Sequence, residues 1–166
     1  MPSTGRAIRF DLRYEPTPPN APRFAQDMVD AAREISGIDL DWTPASLHRV
    51  DRIVGSFVER GDPVEAMGAT LFGFGCYVGE VFVRSDAWRW AVAAETEMAG
   101  FTGTPLVVVR GSGRVANPID KVFKRAEHGL EHDLAYFFHV MTGREVPRPP
   151  GARTLRSWLG RLVGRR

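Results

Sequence analysis

Met67-Gly-Ala-Thr-Leu-Phe-Gly-Phe-Gly-Cys-Tyr-Val-Gly79 carries no charge over thirteen residues, and Glu80 follows it directly. Wound as a helix, the run presents apolar groups on every side. A helix that is hydrophobic all round belongs in an interior, and this one falls short of the roughly 20 residues needed to span a bilayer. It is therefore expected to be the buried central helix of the fold, opened by Asp62-Pro63. Gly68, Gly73, Gly75 and Gly79 would each weaken it by up to about 1 kcal/mol relative to alanine. Close approach of other elements offsets that cost; a break in the helix is the competing expectation.

Elements on the N-terminal side are expected to pack around this helix. Ile8, Phe10, Leu12 and Tyr14 alternate with Arg9, Asp11 and Arg13, the period of a strand with one buried face. Pro16, Pro18, Pro19 and Pro22 then impose an extended connection. Phe24, Met28, Ala31, Ala32 and Ile35 recur at helical spacing up to Gly37. Thr43-Pro44, like Asp62-Pro63, places an oxygen-bearing cap before a proline at the first helical position. The helix it opens carries Leu47, Val50, Ile53, Val54, Phe57 and Val58 on one face and stops at Gly61. His48 and Asp51, flanked by Arg49 and Arg52, read as its solvated side.

On the C-terminal side the period changes. Trp88, Trp90 and Val92 alternate with Arg89 and Ala91, Thr104 to Arg110 is a β-branched run, and Ser112-Gly113 turns it into a short strand over 114–116. Asn117-Pro118 caps a further helix that carries Lys121, Lys124 and Arg125 toward its C-terminal end, where cations suit the dipole. Gly129 closes it. A last helix spans Glu131 to Thr142, packs through Leu134, Phe137, Phe138 and Met141, and stops at Gly143. Strand, three helices, small antiparallel meander and two helices make an α+β domain over 1–143. A Pro/Arg-rich linker, 144–152, and a basic amphipathic tail, 153–166, complete the chain.

Composition narrows the function classes. The 166 residues suit one domain that builds a core without staples. One cysteine, Cys76, leaves no internal disulfide and fits a reducing, cytoplasmic setting. The first ten residues lack the apolar core of a secretory signal. Arginine outnumbers lysine 20 to 2, a codon bias that leads one to expect a GC-rich bacterial genome of the actinobacterial kind.

Several motifs dissolve under their own chemistry. Gly111-Ser-Gly-Arg-Val-Ala116 has the spacing of a dinucleotide fingerprint, but Asn117-Pro118 displaces the helix start from the glycines, so a hairpin turn is expected. Gly73-Phe-Gly-Cys-Tyr-Val-Gly79 has no strand before it. His128-Gly-Leu-Glu-His132 spells an inverted zincin pattern, yet Gly129 interrupts the helix that must hold both histidines, and a third ligand is wanting even with His139. Cys76 in an apolar helix is an inert core residue. No metal or cofactor is expected. Glu80 is more informative: an acid emerging from a buried helix needs a partner. Arg84, one turn on, or a tryptophan N–H from the Trp88 strand would supply one. An acid in a cleft, with Asp120 beside it, is the functional alternative.

Cys76-Tyr-Val-Gly-Glu80, a tryptophan strand, then Asn117-Pro118 with Lys121-Val-Phe-Lys-Arg125 and Gly129 together resemble an uncharacterised bacterial domain family. Its members run similarly from a small-Tyr-hydrophobic-Gly-Glu helix through a tryptophan strand to an Asn-Pro-capped helix. The resemblance covers roughly residues 40–143 and implies no reaction, so it assigns no catalytic residue.

Charge supplies the functional lead. The net charge is +2, but residues 144–166 hold seven arginines against Glu145 and sum to +6, leaving −4 for the body. Beyond the stiff Pro147, Pro149, Pro150 spacer, Leu155, Trp158, Leu159 and Leu162 form one helical stripe beside Arg153, Arg156 and Arg161. This suits a partner-protein groove or an anionic membrane surface. Nucleic acid is the weaker candidate because the body is acidic. Docking back onto the domain, within or between subunits of a homo-oligomer, is the plainer reading. The expected function is a non-enzymatic binding or regulatory domain, its contacts drawn from Glu80, Arg84, Trp88, Asp120 and the tail. A small hydrolase-like enzyme with Glu80 in a cleft, and a structural subunit of a larger assembly, are the alternatives.

Overall fold

A computed structural model describes residues 10–148. Among them run α1 (Ala21–Ser36), α2 (Leu47–Glu59), α3 (Gly68–Ser85), β1 (Trp88–Val92), β2 (Leu106–Arg110), β3 (Arg114–Ala116), α4 (Pro118–His128) and α5 (Leu134–Thr142), with short 3-10 turns between them. The fold is α+β. The expected tail, with Arg153, Arg156, Trp158, Leu159, Arg161 and Leu162, lies outside the described residues.

The uncharged run is one unbroken helix, and every residue from Leu71 to Phe82 is buried. Its glycines are docking points. A Cβ added at Gly68 would stand 2.0 Å from the Phe10 ring, at Gly73 2.8 Å from Met28 of α1, at Gly75 2.5 Å from the Ile119 backbone of α4, and at Gly79 2.2 Å from the Trp90 ring of β1. Four neighbours thus approach α3 where it has no side chain, which offsets the helix-propensity cost of the glycines. Around it Phe24, Val50, Val54, Tyr77, Ile119, Val122, Leu134 and Phe138 close a single main core.

The three strands form an antiparallel sheet in the order β1-β2-β3, with Trp88 opposite Arg110, Trp90 opposite Val108, and Val108 opposite Ala116. Period two sorts its faces. Leu106 and Val108 join the main core, whereas Val107 and Val109 pack with Ala93, Ala91, Met98 and Val115 in a small second cluster. The segment between β1 and β2 covers that second face, so β2 is buried on both sides.

Several sequence expectations are corrected. Residues 10–14, the described part of the expected N-terminal strand, join no ladder. Phe10, Leu12 and Tyr14 still turn inward against the main core, Phe10 stacking on Phe123 with centroids 5.2 Å apart; the burial pattern is a strand's, but side chains rather than a neighbouring strand hold it. Asp62-Pro63 opens a turn, and α3 starts only at Gly68, under the Phe10 ring. The Thr43 side chain accepts no capping N–H; its hydroxyl donates to Asp41 at 2.6 Å, and a 3-10 turn over Pro44–Ser46 precedes α2. The last helix starts at Leu134 rather than Glu131. Gly129–His132 is a 3-10 turn, and the Asp133 side chain accepts the Tyr136 N–H at 2.6 Å as the true cap. On α1, Ile35 is 84% exposed instead of inward. Gly37 ends that helix with φ 61°, a left-handed value suited to glycine.

Candidate functional site

Burial leaves Glu80 in need of hydrogen bonds, and the α3–β1 packing supplies them. Trp90 donates its indole N–H to Oε1 at 2.8 Å and Arg84 donates Nε–H to Oε2 at 3.2 Å. The carboxylate is buried and the guanidinium half-exposed. Arg84 in turn lies 3.8 Å above the Trp42 ring, a cation–π contact. Trp42 holds φ 66°, a left-handed backbone that a bulky residue seldom adopts. Its N–H donates to the Tyr77 hydroxyl at 2.9 Å, and the rings lie 5.0 Å apart. Ser46 spends its one hydroxyl hydrogen on the Thr43 carbonyl, so the Tyr77 O–H donates to Ser46 Oγ at 2.6 Å. Glu80, Arg84, Trp90, Trp42 and Tyr77 therefore tie the end of the central helix to the sheet and to the loop before α2.

The other expected residues go elsewhere. Trp88 is buried edge-on against Phe82, with centroids 5.2 Å apart, and is core rather than a platform for a ligand. Asp120 pairs with Lys124 at 2.8 Å, one turn on along α4. Its backbone N–H is capped by Asn117, whose amide also binds Thr102 and Thr104. Neither Glu80 nor Asp120 lines any of the four surface cavities described below. His128 and His132 stand 5.5 Å apart on either side of Gly129, with His132 Nδ1 against Lys121 Nζ at 3.2 Å. Burial pushes the Cys76 thiol well above its ordinary pKa, consistent with an inert core residue.

A second polar cluster went unnamed in the sequence. Asp51, expected on a solvated side, is buried, as is Arg125, whose Nε donates to Asp51 Oδ1 at 3.0 Å. The Leu134 N–H reaches both Asp51 oxygens, at 3.2 and 3.1 Å. One carboxylate thus joins α2, α4 and the start of α5. Burial, then the nearby Asp133 charge, raises the Asp51 pKa to about 7, against the opposing pull of the Leu134 N–H and Arg125. His48, one turn before Asp51, has its Nε2 buried with no hydrogen-bond partner among the described residues. The spacing held a signal for all this. Leu47, Val50, Asp51 and Val54 fall at i, i+3, i+4 and i+7, which puts Asp51 within the apolar stripe.

Among the described residues lie four surface depressions. One of about 390 Å³ borders this cluster, with Asp51, Gly55, Arg125 and Leu130 on its wall. Another of about 360 Å³ lies over the β2–β3 turn between Arg89, Glu97 and Arg114. A third, about 530 Å³, runs along Phe10 to Pro16. The most apolar lies between α1, α2 and the start of α3. It holds about 480 Å³ and is lined by Met28, Ile35, Ile38, Phe57 and Phe74, with Arg52 and Arg60 also on its wall. No protein-family model, curated protein or solved structure matches this chain.

Proposed function

We propose that this chain is a non-enzymatic binding domain that receives an acidic, amphipathic segment of a partner protein in the α1–α2 groove, with its basic tail as a second contact. The observation that carries this reading is the groove itself: Ile35 stands 84% exposed beside an apolar floor. Arg52 is exposed there and makes no ion pair among the described residues, while Arg60 is held by Asp62 at 2.9 Å. Apolar floor and basic wall suit a helix with one apolar and one acidic face.

Charge disfavours the chain's own tail as the occupant, since residues 144–166 sum to +6 and would meet two arginines. Geometry adds to this. Val146 packs on the core and Arg144 bonds the Ser85 carbonyl at the end of α3, whereas the groove touches Thr70 and Phe74. Those places are about 20 Å apart along the helix. The hydrolase alternative has less support, because both Glu80 oxygens are engaged and Glu80 lines none of the four cavities.

The test is capture of a partner by the purified full chain, identification of its binding segment, and titration of that segment against wild type, Ile35→Glu and a 1–146 truncation. Each change should weaken binding about tenfold or more, a loss near 1.4 kcal/mol. Binding that ignores Ile35→Glu would overturn the groove as the site. Sedimentation with phosphatidylglycerol vesicles and no protein partner would instead identify an anionic membrane as the target.

A further inference from the structure

We propose that His48, Asp51 and Asp133 form a site for a first-row divalent cation such as Zn²⁺ or Mn²⁺, where α2 meets the start of α5. Each offers one ligand atom, and these atoms all lie within 4.8 Å of one another. His48 and Asp51 stand one turn apart on α2, and Asp133 comes from the start of α5, so the fold brings the third ligand to the other two. His48 Nε2 is the independent sign of a missing partner, being shielded from solvent and bonded to neither carboxylate.

The carboxylates keep the lone pairs that a cation needs. Asp133 Oδ1 accepts the Tyr136 N–H, and Oδ2 makes no hydrogen bond among the described residues. Asp51 Oδ1 takes Arg125 and the longer of two contacts from the Leu134 N–H, so Oδ2 holds that N–H alone. Arg125 pairs with Asp51 alone, so Asp133 has no ion-pair partner among the described residues and can turn its carboxylate to a dication. Lys121 lies close enough to act on both carboxylates, but its nearest polar partner is His132. One imidazole with two carboxylates selects zinc or manganese over the all-oxygen preference of calcium and magnesium. Bonds of 2.0–2.2 Å set ligand atoms about 3–4 Å apart, so the cluster must close by about 1 Å around the ion. Arg125 would remain on Asp51 as an orienting group of the kind that tunes metal ligands. The cavity of about 390 Å³ touches the cluster through Asp51.

This site is independent of the groove and its partner. The test uses the chelator-stripped full chain titrated calorimetrically with ZnCl₂ and with MnCl₂, and MgCl₂ as the contrast. Its variants are His48→Ala and Asp133→Asn, the latter chosen because asparagine caps a helix about as well as aspartate. Wild type should bind one equivalent of zinc or manganese and melt at a higher temperature with it. Both variants should fold, lose at least about tenfold in affinity and lose the thermal shift. No saturable binding to wild type at 100 µM metal would overturn the site. So would binding that both variants retain, which would move the ion to His128, His132 or His139.

Discussion

Two carboxylates at helix positions carry opposite lessons. Glu80 ends an uncharged run, and an acid in that place must find donors; it finds Trp90 and Arg84. Glu80→Ala should therefore destabilise the domain by about 1–3 kcal/mol in urea unfolding, because the Trp90 N–H is left without its acceptor. A variant as stable as wild type that has lost a binding activity would reverse this assignment. Asp51 was the harder residue. Arg49 and Arg52 on either side make it look solvated, and only its place among Leu47, Val50 and Val54 gives it away. Its partner Arg125 sits 74 positions later, a pairing that no local pattern encodes. Arg125→Ala would strand the Asp51 carboxylate where it stays ionised and should cost about 3–5 kcal/mol at pH 9, and clearly less at pH 6, where Asp51 takes up a proton, read from the denaturation midpoint at unchanged slope. Loss under 1 kcal/mol would mean that water reaches Asp51 freely. Cys76, buried and with its thiol pKa raised, should ignore an aromatic disulfide reagent until the chain is denatured. Labelling of the native protein at the rate of a free thiol would show that α3 opens.

Element by element, the sequence was clearest where two signals agreed. Asn117-Pro118 announced a helix, and Asn117 does accept the Asp120 N–H. The alternation over Trp88 to Val92, the β-branched run expected from Thr104 to Arg110 and the turn at Ser112-Gly113 became a three-stranded sheet, the second strand starting at Leu106. Thr43-Pro44 and Asp62-Pro63 carried the same cap pattern without the cap, since a 3-10 turn follows Pro44 and another turn follows Pro63 before the helices begin. Alternation over 10–14 reported burial correctly and pairing wrongly, because period two records which side chains turn inward and not whether a neighbouring strand exists. The glycines of α3 read as close approaches or as a break in the helix; they are close approaches, and their partners were not legible. Gly75 meets the backbone of Ile119, which cannot move alone, whereas Gly73 meets the flexible Met28 side chain. Gly75→Ala should cost about 1–3 kcal/mol despite the better helix propensity, and Gly73→Ala clearly less. Equal effects in parallel urea titrations would show that α4 is not seated on α3 as described.

For the whole molecule, the proposed binding turns on two surfaces, the α1–α2 groove and the basic tail. Val146 is the last described residue packed against the core, so a chain ended there should melt within a few degrees of the full protein while losing salt-sensitive contacts, which are screened over about 8–10 Å at physiological ionic strength. Unfolding on truncation would place the tail inside the fold. The charge asymmetry between tail and body was plain from the sequence. The α1–α2 groove was not, because Ile35 sits in phase with the buried residues of its helix and only the packing of α2 and α3 leaves it uncovered. The most direct measurement is a ¹⁵N–¹H titration of the full chain with a designed acidic amphipathic helical peptide at low and physiological salt. Saturable shifts centred on Met28, Ile35, Ile38, Arg52 and Phe57, weakened by salt and abolished by Ile35→Glu, are the predicted result. Shifts confined to residues 153–166, or none at the groove at millimolar peptide, would contradict it.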